Sequence, residues 1–303
     1  MKNHFFIGLS LFVLVYTTSY AQIKSKIIDM HIHAYQDDHF AFPVRDYWGN
    51  AGAANATAHF EETMSAFKKY NITKAVVSGS PAAVESWKAK DTDQRIIRGI
   101  AMDFPNDFNM DSVTFENMVK QGKIQVFGEL GTYYSGTTLA DAVWQPYLRI
   151  CEKYDIPVAV HTGGGDPGGT YTWSPKARLV YGDPYLIEDV LVRYPKLRVY
   201  LMHAGEVWHE HALRLMAYYP QLYTDIAVLL WVEPLTQRYA REFLRNAKEA
   251  GLLKRVMFGT DQMRWPYAIE KSIQFLNNLD FLTAQEKQDI FYNNAAAFLK
   301  IKQ

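Results

Sequence analysis

The sequence predicts an α/β chain folded as a (β/α)8 TIM barrel. Three observations predict it. Short β-branched runs alternate with longer segments of helical spacing through the chain after residue 21. There are eight such runs, and eight strand–helix units over about 275 residues suit a barrel that typically needs about 250. No GxGxxG turn follows an early run, as a doubly wound dinucleotide-binding sheet would want.

The predicted strands are 27–34, 72–78, 96–103, 124–131, 157–162, 198–204, 222–228 and 255–261. Their centres read IIDMHIH, TKAVVS, IIRGIAM, QVFGEL, VAVH, VYLMH, YTDIAV and VMFGTD. Near-continuous apolar runs of this kind fit parallel strands covered on both faces. The intervening helices are predicted over 60–70, 82–89, 112–121, 139–154, 184–194, 209–218 and 235–250. A helix over 267–279 follows the eighth strand, and 284–299 is an extra C-terminal helix. Thr283 with Glu286 three residues on is a capping box for that last helix.

Residues 1–21 stand apart. Lys2 is the only charged residue among them, and Phe5 to Tyr16 is an apolar stretch broken only by Gly8 and Ser10. A bilayer span needs about 20 apolar residues, so the stretch is too short. Ser19 and Ala21 supply the small residues of a signal-peptidase site. The expectation is a signal peptide cleaved near Ala21 and an exported chain, periplasmic or secreted, with residues 22–303 as one barrel domain and no membrane segment after cleavage. Lys+Arg and Asp+Glu both number 32, so no basic excess points to nucleic acid. The lone Cys151 cannot form an internal disulfide or build a cysteine-rich zinc site. A homo-oligomer is compatible with this composition.

The polar residues carry the functional argument. In such a barrel the chemistry lies at the C-terminal strand ends. The first strand carries Asp29-Met30-His31-Ile32-His33. Strict alternation puts Asp29, His31 and His33 on one face and turns Met30 and Ile32 to the helices. The fifth strand ends at His161, the sixth at His203-Ala204-Gly205 and the eighth at Gly259-Thr260-Asp261. Each is ordinary alone: a lone histidine is commonly structural, and an aspartate after a strand commonly caps a helix. Four strands doing this toward one mouth argue for a single cause. The fourth strand adds Gly128-Glu129-Leu130-Gly131, with Glu129 a second-metal ligand or a supporting carboxylate.

In this order the motifs resemble the amidohydrolase superfamily, and within it the amidohydrolase-related (amidohydrolase 2) family of metal-dependent hydrolases and decarboxylases. The Asn293-Asn294-Ala295-Ala296 run is similar to that family's closing segment. The resemblance implies a metal-dependent barrel holding one divalent cation, Zn²⁺ first, on His31, His33, His161 and Asp261. It implies Asp261 as proton shuttle and His203 as the group that orients water or stabilises an oxyanion. Binuclear relatives commonly carry a carboxylated lysine on the fourth strand where this chain has Glu129, which favours a mononuclear centre and leaves a glutamate-bridged pair open.

The long loops are expected to choose a small-molecule substrate. The loop after the first strand carries Arg45 and Trp48, that after the fifth Trp173 and Arg178, and that after the eighth Arg264. Arginine among aromatics suits a small anionic or cyclic substrate; ordinary surface packing is the competing reading for each residue. The glycine-rich run 163–169 has no Lys-Ser/Thr pair after it, so it is a lid or turn rather than a phosphate loop. The expected activity is hydrolysis of a lactone, ester or amide. A non-oxidative decarboxylase is the alternative on the same scaffold, and a non-catalytic binding protein the alternative from another class.

Overall fold

A computed structural model describes residues 25–42, 44–104 and 107–301. The expected signal peptide lies outside the described residues. Eight parallel strands follow one another round the sheet in sequence order. They are β1 Ile27–Ala34, β2 Ile72–Gly79, β3 Ile96–Met102, β4 Val126–Leu130, β5 Val158–His161, β6 Val199–Met202, β7 Leu222–Asp225 and β8 Val256–Met257. β8 returns to β1 through Met30 N–H donating to the Phe258 carbonyl at 3.0 Å, so the ring is nearly closed. This is the expected (β/α)8 barrel.

The helices between the strands are α1 Ala56–Tyr70, α2 Pro81–Lys90, α3 Ser112–Lys120, α4 Thr132–Ser135, α5 Gln145–Tyr154, α6 Glu188–Arg193, α7 His209–Tyr218, α8 Pro234–Glu249 and α9 Ala268–Asn277. The chain ends with α10 Ala284–Gln288, a π-turn at Asp289–Asn293, and α11 Asn294–Phe298. The capping box forms as expected, with Thr283 and Glu286 exchanging side-chain to backbone bonds. Among the described residues no helix is long and apolar enough to cross a membrane.

Two apolar layers hold the barrel. Between sheet and helices lie residues such as Ile32, Val77, Ile100, Phe127, Val160 and Leu201. Inside the ring lie Ile28, Met30, Val76, Val126, Ala159, Tyr200, Met202 and Met257, joined by Ala295, Ala296 and Phe298 from α11. The C-terminal segment thus plugs the end of the barrel away from the strand ends that carry the chemistry. Buried Asn294 fastens the plug by donating to the Leu253 and Val256 carbonyls at 2.8 and 2.7 Å.

Three expectations need correction. The alternation in β1 breaks at a bulge: Asp29 pairs with Ala75 and Ile32 with Val77, three residues against two. Met30 therefore faces the barrel interior rather than the helices. The helix expected over 139–154 begins only at Gln145, because Pro146 lacks an N–H and is tolerated only in a first turn. The sixth, seventh and eighth strands end earlier than expected. His203 and Asp261 take positive φ angles of 66° and 48°, which a strand cannot continue through.

Gly128 marks a tight place in the wall. A Cβ there would lie 2.3 Å from the Ala159 Cβ and 2.5 Å from its carbonyl oxygen, at a φ of +156°. Gly128→Ala is expected to cost about 3 kcal/mol through overpacking, lowering the melting temperature by roughly 6 to 12 °C. A thermal melt within 2 °C of wild type, about the shift for 1 kcal/mol, would remove this constraint on how Glu129 is presented.

Candidate metal and active site

The strand ends bring the expected residues to one place. From β1, the bulge leaves His31 and His33 both pointing into the mouth. His31 Nε2 and His33 Nε2 lie 3.1 Å apart. Glu129 Oε2, from β4, is 3.3 Å from the first and 3.1 Å from the second. Asp261 Oδ1, just past β8, is 3.6 and 3.1 Å from the same two nitrogens. On its other side Glu129 meets a second pair through Oε1: His161 Nδ1 at 2.7 Å and His203 Nε2 at 3.3 Å. All of these side chains are buried or nearly so.

Two imidazole nitrogens facing each other at 3.1 Å between two carboxylates make a poor hydrogen-bonded core. They make a good cation cradle. Donors about 2.1 Å from a tetrahedral metal stand about 3.4 Å from one another, and the separations here run from 3.1 to 3.6 Å. Asp261 Oδ1 and His31 Nδ1 are buried without a hydrogen-bond partner. Three overlapping triads, His31–His203–Asp261, His31–His33–Glu129 and Glu129–His161–His203, each keep their donor atoms within 4.8 Å. The residues fit a divalent cation bound through nitrogen and oxygen. Glu129 stands at the centre of the set, between the two donor groups.

The electrostatics follow from the geometry. Burial alone would lower the pKa values of His31 and His33, but Asp261 and Glu129 overcome it and raise both to about 10. Burial pushes the other way on the carboxylates, and the histidines hold both Glu129 and Asp261 low. The metal-free protein therefore holds imidazolium and carboxylate together. The raised histidines contribute stability that is complete below pH 6.5 and lost as pH climbs toward 10. The depressed carboxylates contribute stability that is lost as pH falls below about 4. Metal binding must displace the imidazolium protons. The expected result is a metal-free melting temperature that declines from pH 6.5 to 10, while the increment from added metal grows over the same range. Parallel profiles with and without metal would contradict this.

The structure adds groups that the sequence reading passed over. Asp225, at the end of β7, is fully buried. Its Oδ1 accepts from His203 N–H at 2.9 Å and Ala227 N–H at 3.0 Å, and its Oδ2 lies 3.5 Å from His31 Nδ1. The sequence hid it inside the expected strand over 222–228, because the apolar run continues through Ile226-Ala227-Val228, whereas β7 ends at Asp225. Asp29 does not join His31 and His33. It ties β1 to the eighth strand end, accepting from His31 N–H, Thr260 N–H and the Thr260 hydroxyl at 3.0, 3.0 and 2.7 Å. Burial raises its pKa to about 7. Tyr35 stacks on His33 with ring centres 5.5 Å apart and 4° between planes. Tyr134 lies 4.9 Å from His161 and 4.8 Å from Trp173. His59 is buried, bonded to Gln262 at 2.9 Å, and burial lowers its pKa to about 4.

The expected substrate residues divide. Arg264 reaches the mouth, its guanidinium 5.5 Å from the Tyr35 ring centre. Arg45 donates to Gly49 O and Arg178 to Pro175 and Ala177 O, within their own loops. Trp48 donates to Trp231 O at 3.2 Å, beside the loops after β7 and β8. The glycine-rich run is pinned by Gly163 N–H to Gly182 O and by Gly164 N–H to the Glu206 carboxylate.

The sequence profile of a family described as amidohydrolase matches residues 28–301. The chain belongs to the amidohydrolase family. No curated protein matches this amidohydrolase in sequence. Among solved structures it is similar to a TIM-barrel protein from Bordetella bronchiseptica, with 21% identity, TM-score 0.68, and 91% of this chain and 98% of that one covered. A probable 2-pyrone-4,6-dicarboxylic acid hydrolase from Acinetobacter baumannii gives 16% identity, TM-score 0.64, and coverage of 91% and 100%. A 2,6-dihydroxybenzoate decarboxylase from Rhizobium gives 14% identity, TM-score 0.58, and coverage of 91% and 99%. These likenesses are to the fold. The amidohydrolase family is metal-dependent, and this chain is an amidohydrolase-family enzyme.

Proposed function

We propose that this amidohydrolase hydrolyses a lactone, ester or amide bond of a small cyclic molecule. One observation carries the reading. Asp261 Oδ1 is buried and faces the point on which His31, His33 and Glu129 converge, 3.1 Å from His33 Nε2 and 3.6 Å from His31 Nε2. His31, His33, Glu129 Oε2 and Asp261 would hold the cation, with Glu129 in the place expected for His161, whose Nδ1 meets Glu129 Oε1 at 2.7 Å; when bound the cation supplies Lewis acidity toward water and a carbonyl oxygen. Zinc suits the donor set best. Asp261 is placed to take the proton of the attacking water and return it to the leaving oxygen or nitrogen. His203 is oriented by its own N–H to Asp225 and by Nδ1 donating to Ala227 O at 3.3 Å. Its pKa is raised, with Glu129 and Asp261 outweighing burial, so its Nε2–H can donate to a carbonyl oxygen as that oxygen becomes anionic.

Decarboxylation is the second reading, and Arg264 at the mouth favours keeping it, since a substrate carboxylate needs a cationic partner. Product analysis separates the two on a panel of lactones and aromatic or unsaturated carboxylic acids, with metal-loaded protein. Ring-opened acid supports hydrolysis; carbon dioxide release with no ring-opened product overturns it. We also propose that the chain is exported. An N-terminus at Gln22 in protein recovered outside the cytoplasm supports this, and an intact Met1 overturns it.

A further inference from the structure

We infer that Glu206 is a positioning residue: through the Gly164 carbonyl it holds the His161 ring with Nε2 turned away from Glu129 and Nδ1 turned toward it. The inference rests on the metal reading of the site proposed above. It adds to that site a residue that touches neither cation nor substrate.

The backbone gives the first observation. Four consecutive residues after β6 take positive φ: His203 at 66°, Ala204 at 48°, Gly205 at 77° and Glu206 at 47°. Three of them carry side chains, and such conformations persist only where the surroundings over-determine them. Glu206, with ψ −113°, sits close to the first central position of a type II′ turn, at about +60° and −120°, which glycine usually fills. A carboxylate kept in a place suited to glycine needs a reason, and its contacts supply one. Glu206 Oε2 accepts from Gly164 N–H, across in the loop after β5.

The loop is shaped to receive it. Gly163 has a φ of +88°, and a Cβ there would lie 2.5 Å from Glu206 Cβ and 2.6 Å from its Oε2. A Cβ on Gly164 would lie 3.2 Å from the same oxygen. The two strand ends beneath are tied as well. The Thr162 hydroxyl donates to Met202 O and accepts from Gly205 N–H at 3.0 Å. The start of the glycine-rich run is therefore a seat for one carboxylate.

What the seat holds in place is the Gly164 carbonyl. His161 Nε2 lies 2.9 Å from that oxygen. A carbonyl only accepts, so Nε2 carries a hydrogen. Nδ1 is then the nitrogen at 2.7 Å from Glu129 Oε1. A bond of this kind to one ring nitrogen fixes what the other presents. Glu129 in turn offers Oε2 to His31 and His33 at 3.3 and 3.1 Å. The order is Glu206, Gly164, His161, Glu129, with a direct contact at each step. Two other carboxyls lie near the centre. Burial, then the Glu129 charge, raises the pKa of Asp103, just after β3, to about 7, and burial, then the Asp261 charge, raises that of Asp166, in the loop after β5. Among the described residues neither carboxyl makes a hydrogen bond, so of the three only Glu206 can hold geometry.

The test reads the His161 imidazole itself. Proton–nitrogen NMR of histidine-labelled protein, with zinc bound and without it, is expected to show a slowly exchanging hydrogen on His161 Nε2. Glu206→Gln keeps an oxygen for Gly164 N–H and should keep both this signal and most of the zinc affinity. Glu206→Gly suits the backbone and removes the acceptor. In that variant the signal should exchange away, and zinc affinity, measured by chelator competition, should fall by about 10- to 100-fold. An unchanged Nε2 signal or unchanged zinc affinity in Glu206→Gly overturns the inference, as does a loss in Glu206→Gln equal to that in Glu206→Gly. A wild-type His161 whose hydrogen sits on Nδ1 alone overturns it with no variant needed. Wild-type protein that bound no zinc would sink the metal reading, while the Nε2 signal would still decide the role of Glu206.

Discussion

Asp261→Asn is expected to lower kcat by about 10²- to 10⁴-fold with little change in KM and with metal still bound. The asparagine keeps an oxygen where Asp261 Oδ1 stands, 3.1 Å from His33 Nε2 and 3.6 Å from His31 Nε2. It can therefore still serve the cation. It cannot take a proton at neutral pH, which is the role that the buried Asp261 carboxylate is placed to perform. Metal content measured beside steady-state kinetics separates the two functions of one side chain. If kcat fell by less than tenfold in fully loaded protein, Asp261 would be a ligand only, and the proton shuttle would have to be sought in Asp103 or Asp166. The main-chain position is protected in this variant, because Asp261 N–H bonds to His31 O at 2.7 Å whatever the side chain.

How much of this was legible beforehand depends on whether a residue's signal is local. β1 was read to the residue, because its apolar run is bounded by polar turns on both sides. His31, His33, His161, His203 and Asp261 were legible because each ends an apolar run, and the barrel brings run ends together. Met30 and Asp29 were misread because one bulge changes which side chains face inward, and no residue type announces a bulge. Asp225 was hidden because apolar residues follow it, which put it inside the expected strand over 222–228 rather than at a strand end. Asp103 ends the expected third strand over 96–103 and carried the same strand-end signal as Asp261, but it was passed over. Asp166 and Tyr134 were not legible, because their place depends on how the segments after β5 and β4 fold over the ring, and alternation within a strand says nothing about those. Tyr35 lay one period beyond His33 and could have been read by extending the strand's alternation. The arginines show the limit from the other side: Arg45, Arg178 and Arg264 are equivalent in sequence, and only contacts with their own carbonyls distinguish the first two from the third.

Removing the metal is expected to abolish turnover and to lower the melting temperature by roughly 10 °C, with both restored by a divalent cation. The stability change follows from linkage: a ligand held at a thousand times its Kd contributes about 4 kcal/mol, and in a chain of this size each kcal/mol moves the melting point by about 2 to 4 °C. It is larger than the loss of an ordinary surface ligand because of what is left behind. Without a cation, His31 Nε2 and His33 Nε2 sit 3.1 Å apart in a buried site and must be kept charged by Glu129 and Asp261. That arrangement is most favourable near pH 6 and weakens as pH rises, so the melting-point difference between loaded and stripped protein should be greater at pH 9 than at pH 6. The identity of the restoring ion is constrained by the donors. The one cysteine, Cys151, is buried in α5 away from the mouth, so the site offers only nitrogen and oxygen, which suit zinc, manganese or iron better than a soft ion. Stripped protein, verified metal-free, that kept its turnover would show that the converging side chains hold the barrel mouth together without taking part in the chemistry.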